Sequence, residues 1–89
     1  MELLITELSK DKFEITVKAD QLTKHVVTVT DQMLLNITNN KISKEELLNF
    51  SFNFLLKREA NTSILSKFDI IVISKYFPEY ISKVEDYCN

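Results

Sequence analysis

The chain has 89 residues, of which 45% are apolar, with 11 basic and 13 acidic side chains and a formal charge of -2. This length and apolar share fit one domain (residues 1–89) with a modest core, and they exclude a disordered chain. The near-balanced, interspersed charge gives no general pull toward nucleic acid or an anionic membrane.

Glycine is absent and Cys88 is the only cysteine. Phosphate-cradling glycine loops are therefore ruled out, and no internal disulfide can form. No apolar run approaches the roughly 20 residues of a membrane helix. The opening "MELLITELSKDK" carries no basic leader segment. Together these features predict a cytoplasmic chain without a membrane anchor.

The first third reads as strands, about residues 2–30. "KFEITVKA" (12–19) sets Phe13, Ile15, Val17 and Ala19 against Glu14, Thr16 and Lys18. "KHVVTVT" (24–30) sets Val27 and Val29 against Thr28 and Thr30. Both show the period of two that a half-buried strand requires. "ADQLT" between them is short and polar enough for a hairpin loop. "ELLITEL" (2–8) is a third candidate strand, joined through "SKDK". The expectation is an antiparallel meander of two or three strands. So small a sheet needs helices over one face.

From about residue 31 to 88 the period becomes helical. Asp31 is placed to cap a short helix through Met33, Leu34 and Ile37. "TNN" (38–40) ends it, with Asn40 adopting the left-handed conformation that glycine usually supplies. The next start is the strongest local signal in the chain. Ser43 and Glu46 form a capping box, and Ile42 with Leu47 fits the hydrophobic staple. This predicts a helix over about 43–59. Its apolar residues, from Leu47 to Leu56, sweep about 240° of the helical wheel, far more than a surface helix needs. Central burial explains the arc best. The competing explanation is that part of it faces a partner chain.

"ANTS" (60–63) breaks this helix, and Ser63 can cap a turn through Ile64, Leu65 and Phe68. Asp69 is placed as a further N-cap. Ile70, Ile73 and Phe77 then share one helical face. Pro78 disfavours helix at Phe77 and suits a first helical position. "FDIIVISKYFPEY" (68–80) thus reads as two short helices meeting at a proline elbow. A strand through "DIIVIS" competes, because Ile and Val favour strands. The expected fold is α+β: an antiparallel two- or three-stranded meander followed by four to five helices.

Residues 50–80 resemble an uncharacterised family of small bacterial proteins. The matching residues are Phe52, Phe54, Leu55, Leu56, Arg58, Glu59, Ser63, Ile64, Leu65, Phe68, Asp69 and the run Tyr76 to Tyr80. "HVVTVTDQ" looks similar as well, so the resemblance covers most of the chain. Ala60 stands where the family has proline, which implies a helix running slightly further. The resemblance implies a small α+β domain and assigns no activity.

Arg58 is the sharpest candidate for a functional role. On the helical wheel it lies within the apolar arc, near Ser51. A buried arginine needs a carboxylate or several carbonyls, and Asp69, one short turn later, is the expected partner. An arginine tying down the carbonyls of the following loop and a solvent-facing helix end that snorkels are further structural readings, and an anion-binding role is the functional alternative. Tyr76, Tyr80 and Tyr87 either pack in the core or line a partner-facing surface, where tyrosine is common. His25, the only histidine, lacks the companions that a metal site or a general base would need. Cys88, near a helix C-terminus, lacks the cationic surroundings of a reactive thiol. The adjacent acids Glu45-Glu46 and Glu85-Asp86 fit first-turn and solvent-facing helix positions.

The sequence therefore points to a non-enzymatic interaction module with no cofactor and no metal. Its partner is another protein or a second copy bound through leftover apolar helix surface. A small-ligand or anion-binding domain centred on Arg58 is the alternative. The residues singled out for such contacts are Arg58, Asp69, Tyr76 and Tyr80.

Overall fold

The computed structural model describes residues 2–89. Strands β1 (Glu2–Glu7), β2 (Lys12–Lys18) and β3 (Leu22–Thr28) form the expected antiparallel meander. A fourth strand, β4 (Lys67–Asp69), adds to β3 in parallel, so the sheet is mixed and its order is β1-β2-β3-β4. The α+β class stands, but the purely antiparallel sheet is corrected. A parallel neighbour needs a long crossover, and helices α1 (Asp31–Thr38) and α2 (Lys44–Leu56) supply it. After β4 come a 3-10 turn (Ile70–Val72), α3 (Ile73–Tyr76) and α4 (Tyr80–Cys88).

Register places Leu3 opposite Val17, Ile5 opposite Ile15, and Ile15 opposite His25. These residues, with Phe13 and Val27, line the face covered by helices. Phe13, Ile15, Val17, His25 and Val27 are buried, whereas Leu3 and Ile5 at the sheet's edge are half-buried. The alternation seen in the sequence is thus the alternation of the two faces of the sheet.

The wide apolar arc belongs to a central helix. Leu47, Leu48, Ser51, Phe52, Phe54 and Leu55 of α2 are buried, Phe50 and Leu56 are half-buried, and Asn49 and Asn53 are exposed. Fully burying each Leu or Phe contributes about 1.5–3 kcal/mol, so α2 anchors both the sheet and the C-terminal helices. Ser43 Oγ accepts from Glu46 N at 3.1 Å, as the capping signal predicts. The Glu46 carboxylate turns away from the cap and accepts from the Tyr87 hydroxyl at 3.1 Å.

Three boundaries differ from the sequence-based expectation. Thr30, not Asp31, caps α1, accepting from Met33 N at 3.1 Å. Asp31 sits in the first turn of α1, where its carboxylate reaches Lys44 and Lys10 instead. Helix α2 stops at Leu56 rather than near Glu59, and Ala60 is extended, so its presence does not lengthen the helix. The cause is Asn61. Its amide donates to Gln21 O and to Thr23 Oγ1, each at 2.8 Å, and holds the chain against the β2–β3 turn. Ser63 closes a 3-10 turn (Asn61–Ser63) rather than opening one. Asp69 does take the expected N-cap position, before the 3-10 turn that follows β4, but its side chain makes no capping bond there.

Two left-handed residues, Asn39 (φ 54) and Asn40 (φ 59), turn the chain between α1 and α2. Pro78 makes the expected elbow but does not take a first helical position, because it lies in the turn before Glu79, the N-cap of α4. Phe77 leaves the helical region at φ -131, ψ 89, and α4 begins two residues after the proline. The face of Ile70, Ile73 and Phe77 forms as predicted, with the first two buried and Phe77 half-buried.

Candidate functional site

The structure does not bring the four singled-out residues together. Arg58 is not a buried cation held by Asp69. Its guanidinium lies 3.6 Å from the ring centre of Phe54. Its Nη1 donates to Phe54 O at 2.9 Å and its Nε to Glu79 Oε2 at 3.3 Å. The side chain is 27% accessible, so the stem packs while the head reaches water. The Pro78 elbow turns Glu79 toward Arg58, whereas Asp69 is committed to the far end of β4 opposite Thr28. The Glu79 carboxyl lies below its ordinary range, first because its own backbone N–H bonds to it, then because of Arg58.

Tyr80 is a core residue, fully buried, and does not face a partner. Its hydroxyl lies 2.6 Å from Ser51 Oγ, and Ser51 Oγ is 2.6 Å from Leu47 O. A carbonyl can only accept, so Ser51 donates to Leu47 and Tyr80 donates to Ser51. Burial pushes the Tyr80 hydroxyl pKa well above its ordinary value, against a smaller lowering by Ser51. Tyr76 is the opposite case, 66% exposed.

Tyr76 stands at the mouth of a cleft of about 120 Å³. Leu55 from the end of α2, Ile64 and Phe68 from the segment leading into β4, and Val72, Ile73 and Phe77 wall it. Glu59 and Ser63 supply its polar edge. Leu65 lines it too and is 45% exposed. Ile71, in the neighbouring 3-10 turn, is also exposed. The cleft exists because α2 stops early: the chain must cross from Leu56 to β4, and the short 3-10 and α3 turns do not fill the gap. A second, wider depression of about 680 Å³ lies between the β2–β3 turn and residues 59–62 and carries mixed polar groups.

One wall of the cleft is braced from inside by the only histidine. His25 is buried, and its Nδ1 lies 2.8 Å from Leu65 O. That contact requires a proton on Nδ1. In the neutral ring Nε2 then accepts from Thr23 Oγ1 at 2.9 Å, while Thr23 accepts from Asn61. The chain of bonds is saturated, which makes His25 a positioning residue of the fold. The sequence signal is its place on the face shared with Val27; Thr23 is two residues away, but Leu65, 40 residues away, leaves no local trace.

A third cluster ties the first turns of α1 and α2 to the β1–β2 turn. Lys44 Nζ contacts Asp31 Oδ1 at 2.8 Å, Asp11 Oδ1 at 3.0 Å and Lys10 O at 3.0 Å. Burial alone would lower the Lys44 pKa, but the hydrogen bonds it donates to the two carboxylates leave it raised. The Asp31 carboxyl is held down to about 2, chiefly by Lys44 and then Lys10.

Among the described residues, no group of three or more His, Cys, Asp or Glu side chains is placed to hold a metal ion. No described helix is long and apolar enough to cross a membrane. No protein-family model, curated protein or solved structure matches the chain. The class of molecule that emerges is a small α+β domain with an apolar surface cleft.

Proposed function

We propose that this chain is a non-enzymatic interaction module that seats one apolar side chain of a partner protein in the Tyr76 cleft. The observation that carries this reading is the pairing of an apolar cleft with an exposed aromatic at its mouth. Single exposed apolar residues are ordinary, but a cleft rimmed by Tyr76 and Leu65 is a contiguous surface of the kind that binds partners. At about 120 Å³ the space suits one side chain; small-molecule sites run to about 300–1,000 Å³. Glu59 at the edge favours a basic residue beside the apolar anchor. The anion-binding alternative at Arg58 has less support, because Glu79 and Phe54 already engage that guanidinium.

Selection of displayed peptides on the full chain tests the proposal. The expected winners carry Leu, Ile or Phe beside Lys or Arg. Val72→Phe, which fills the cleft, and Tyr76→Ala, which removes its rim, should each weaken the selected peptides at least tenfold with the melting temperature held. Glu59→Lys should abolish the preference for a basic neighbour. Failure to enrich any peptide, or binding indifferent to Val72→Phe and Tyr76→Ala, rejects the proposal.

A further inference from the structure

The free edge of the sheet is a second surface, unconnected with the cleft. Strand β1 pairs only with β2, and its other side borders no strand. Three hydrogen bonds establish which backbone groups point away from the sheet. Val29 N donates to Asp11 O at 2.7 Å, one pair beyond the β2–β3 register. Bonded pairs alternate along an antiparallel ladder, so the odd-numbered residues of β2 face β3 and the even-numbered ones face β1. Leu8 N donates to Lys12 O at 2.8 Å, which agrees from the other side. Val26 N donates to Ser66 O at 2.8 Å, continuing the same alternation into β4. It follows that Leu4 and Thr6 spend their backbone groups on β2. The N–H and C=O of Leu3, Ile5 and Glu7 point outward.

Natural sheet edges are usually guarded by proline, lysine, a bulge or brevity. The opposite edge, β4, follows that rule: three residues, with Lys67 and Asp69 flanking Phe68. Strand β1 does not. It runs six residues in unbroken register, with charge only at its ends, Glu2 and Glu7. It is also apolar at its margins. Leu4 is 41% exposed on the open face, and Leu3 and Ile5 remain half-buried because the helical layer stops short of the edge.

We propose that β1 pairs antiparallel with β1 of a second copy of this chain, about a two-fold axis through Ile5, joining two sheets into one. Directly opposed residues must point to the same face, and the bonded pairs must be drawn from Leu3, Ile5 and Glu7. An axis at Ile5 sets Ile5 against the partner's Ile5, and Leu3 against the partner's Glu7 at each end. All three outward residues of both strands are then bonded. An axis at Leu4 or Thr6 leaves one of the three without a partner inside the strand. With the axis at Ile5, no carboxylate opposes another: Glu7 meets the partner's Leu3, and Glu2 meets the partner's Leu8. Leu4 lies across from the partner's Thr6 and is covered. A contact of one strand pair lies at the small end of specific interfaces, so the dimer is transient and concentration-dependent.

The test uses the full chain over a concentration series up to millimolar, read by sedimentation and by amide hydrogen exchange. The expected result is a monomer–dimer equilibrium in which the amides of Leu3, Ile5 and Glu7 gain protection as concentration rises. Those of Leu4 and Thr6 should be protected at every concentration. Leu4→Lys, on the open face, should weaken association tenfold or more without shifting the melting temperature. Adding Thr6→Glu should restore it, because position 6 lies across the axis from position 4. A strict monomer at millimolar concentration overturns the proposal, as does a strand from another protein taking the edge while the chain alone stays monomeric. So does a dimer that ignores Leu4→Lys or whose outward amides stay unprotected, and failure of the double variant to restore pairing overturns the axis. Tyr76→Ala should leave this equilibrium unchanged, so the edge and the cleft succeed or fail separately.

Discussion

The Tyr80 hydroxyl donates to Ser51 Oγ at 2.6 Å across the centre of the molecule, and both residues are fully buried. The bond joins α4 to α2, and Ser51 passes it on to Leu47 O. Its two ends are not equivalent. Tyr80→Phe removes a donor and leaves Ser51 still bonded to Leu47 O, which should cost about 1 kcal/mol. Ser51→Ala strands the Tyr80 hydroxyl without a partner and should cost about 2–3 kcal/mol, the penalty of an unsatisfied buried group. Urea unfolding of the two variants checks the order. Equal losses, or a larger loss from Tyr80→Phe, would contradict the assigned direction of the bond.

Arg58→Met should be mild. Had Arg58 been a buried cation held by Asp69, its loss would cost several kcal/mol. With its head in water and its stem on Phe54, the main loss is a cation–π contact of about 0.5–1 kcal/mol, and methionine retains the packing. The exposed ion pair to Glu79 adds little. Chemical denaturation gives the number, and a loss of several kcal/mol would return Arg58 to the core.

Acid should loosen the crossover through Asp31. Its folded pKa, about 2, lies below the ordinary aspartate value near 3.8. A depressed carboxylate contributes stability that is fully present above the unfolded value and is lost as pH falls through the folded one. The Asp31 contribution is therefore intact above pH ~4 and fades toward pH ~2. Glu79 acts in the same direction. Melting temperatures taken down this range should fall less steeply for Asp31→Asn than for the parent chain. Parallel curves would remove Asp31 from the acid response.

Much of this architecture was legible in the residues. Phe13, Ile15 and Val17 announced a strand by alternation, Ser43 announced a helix by its cap, and the breadth of the α2 arc announced central burial. What escaped was everything decided by distant partners. Strand β4 is three residues long, too short for a period to register, and it exists only because β3 offers a free edge. Nearness in sequence points Arg58 to Asp69, whereas the Pro78 elbow delivers Glu79. Tyr80 was visible as an aromatic at helical spacing, but its burial depended on Ser51, a lone hydroxyl within an apolar arc. That serine was the available clue. The cleft left no trace in any motif, because it is the space remaining where α2 ends at Leu56.

Helix α2 touches β1 of the meander on one side and α4 on the other, and six of its own residues are buried between them. Neither half of the chain owns its core. Helix α2 loses the cover over Ser51 and Phe54 if α4 leaves, and α4 loses the helix it rests on if α2 parts from the sheet. Opening is consequently all-or-none, and the amides in the middle of α2 are released only when the whole chain unfolds.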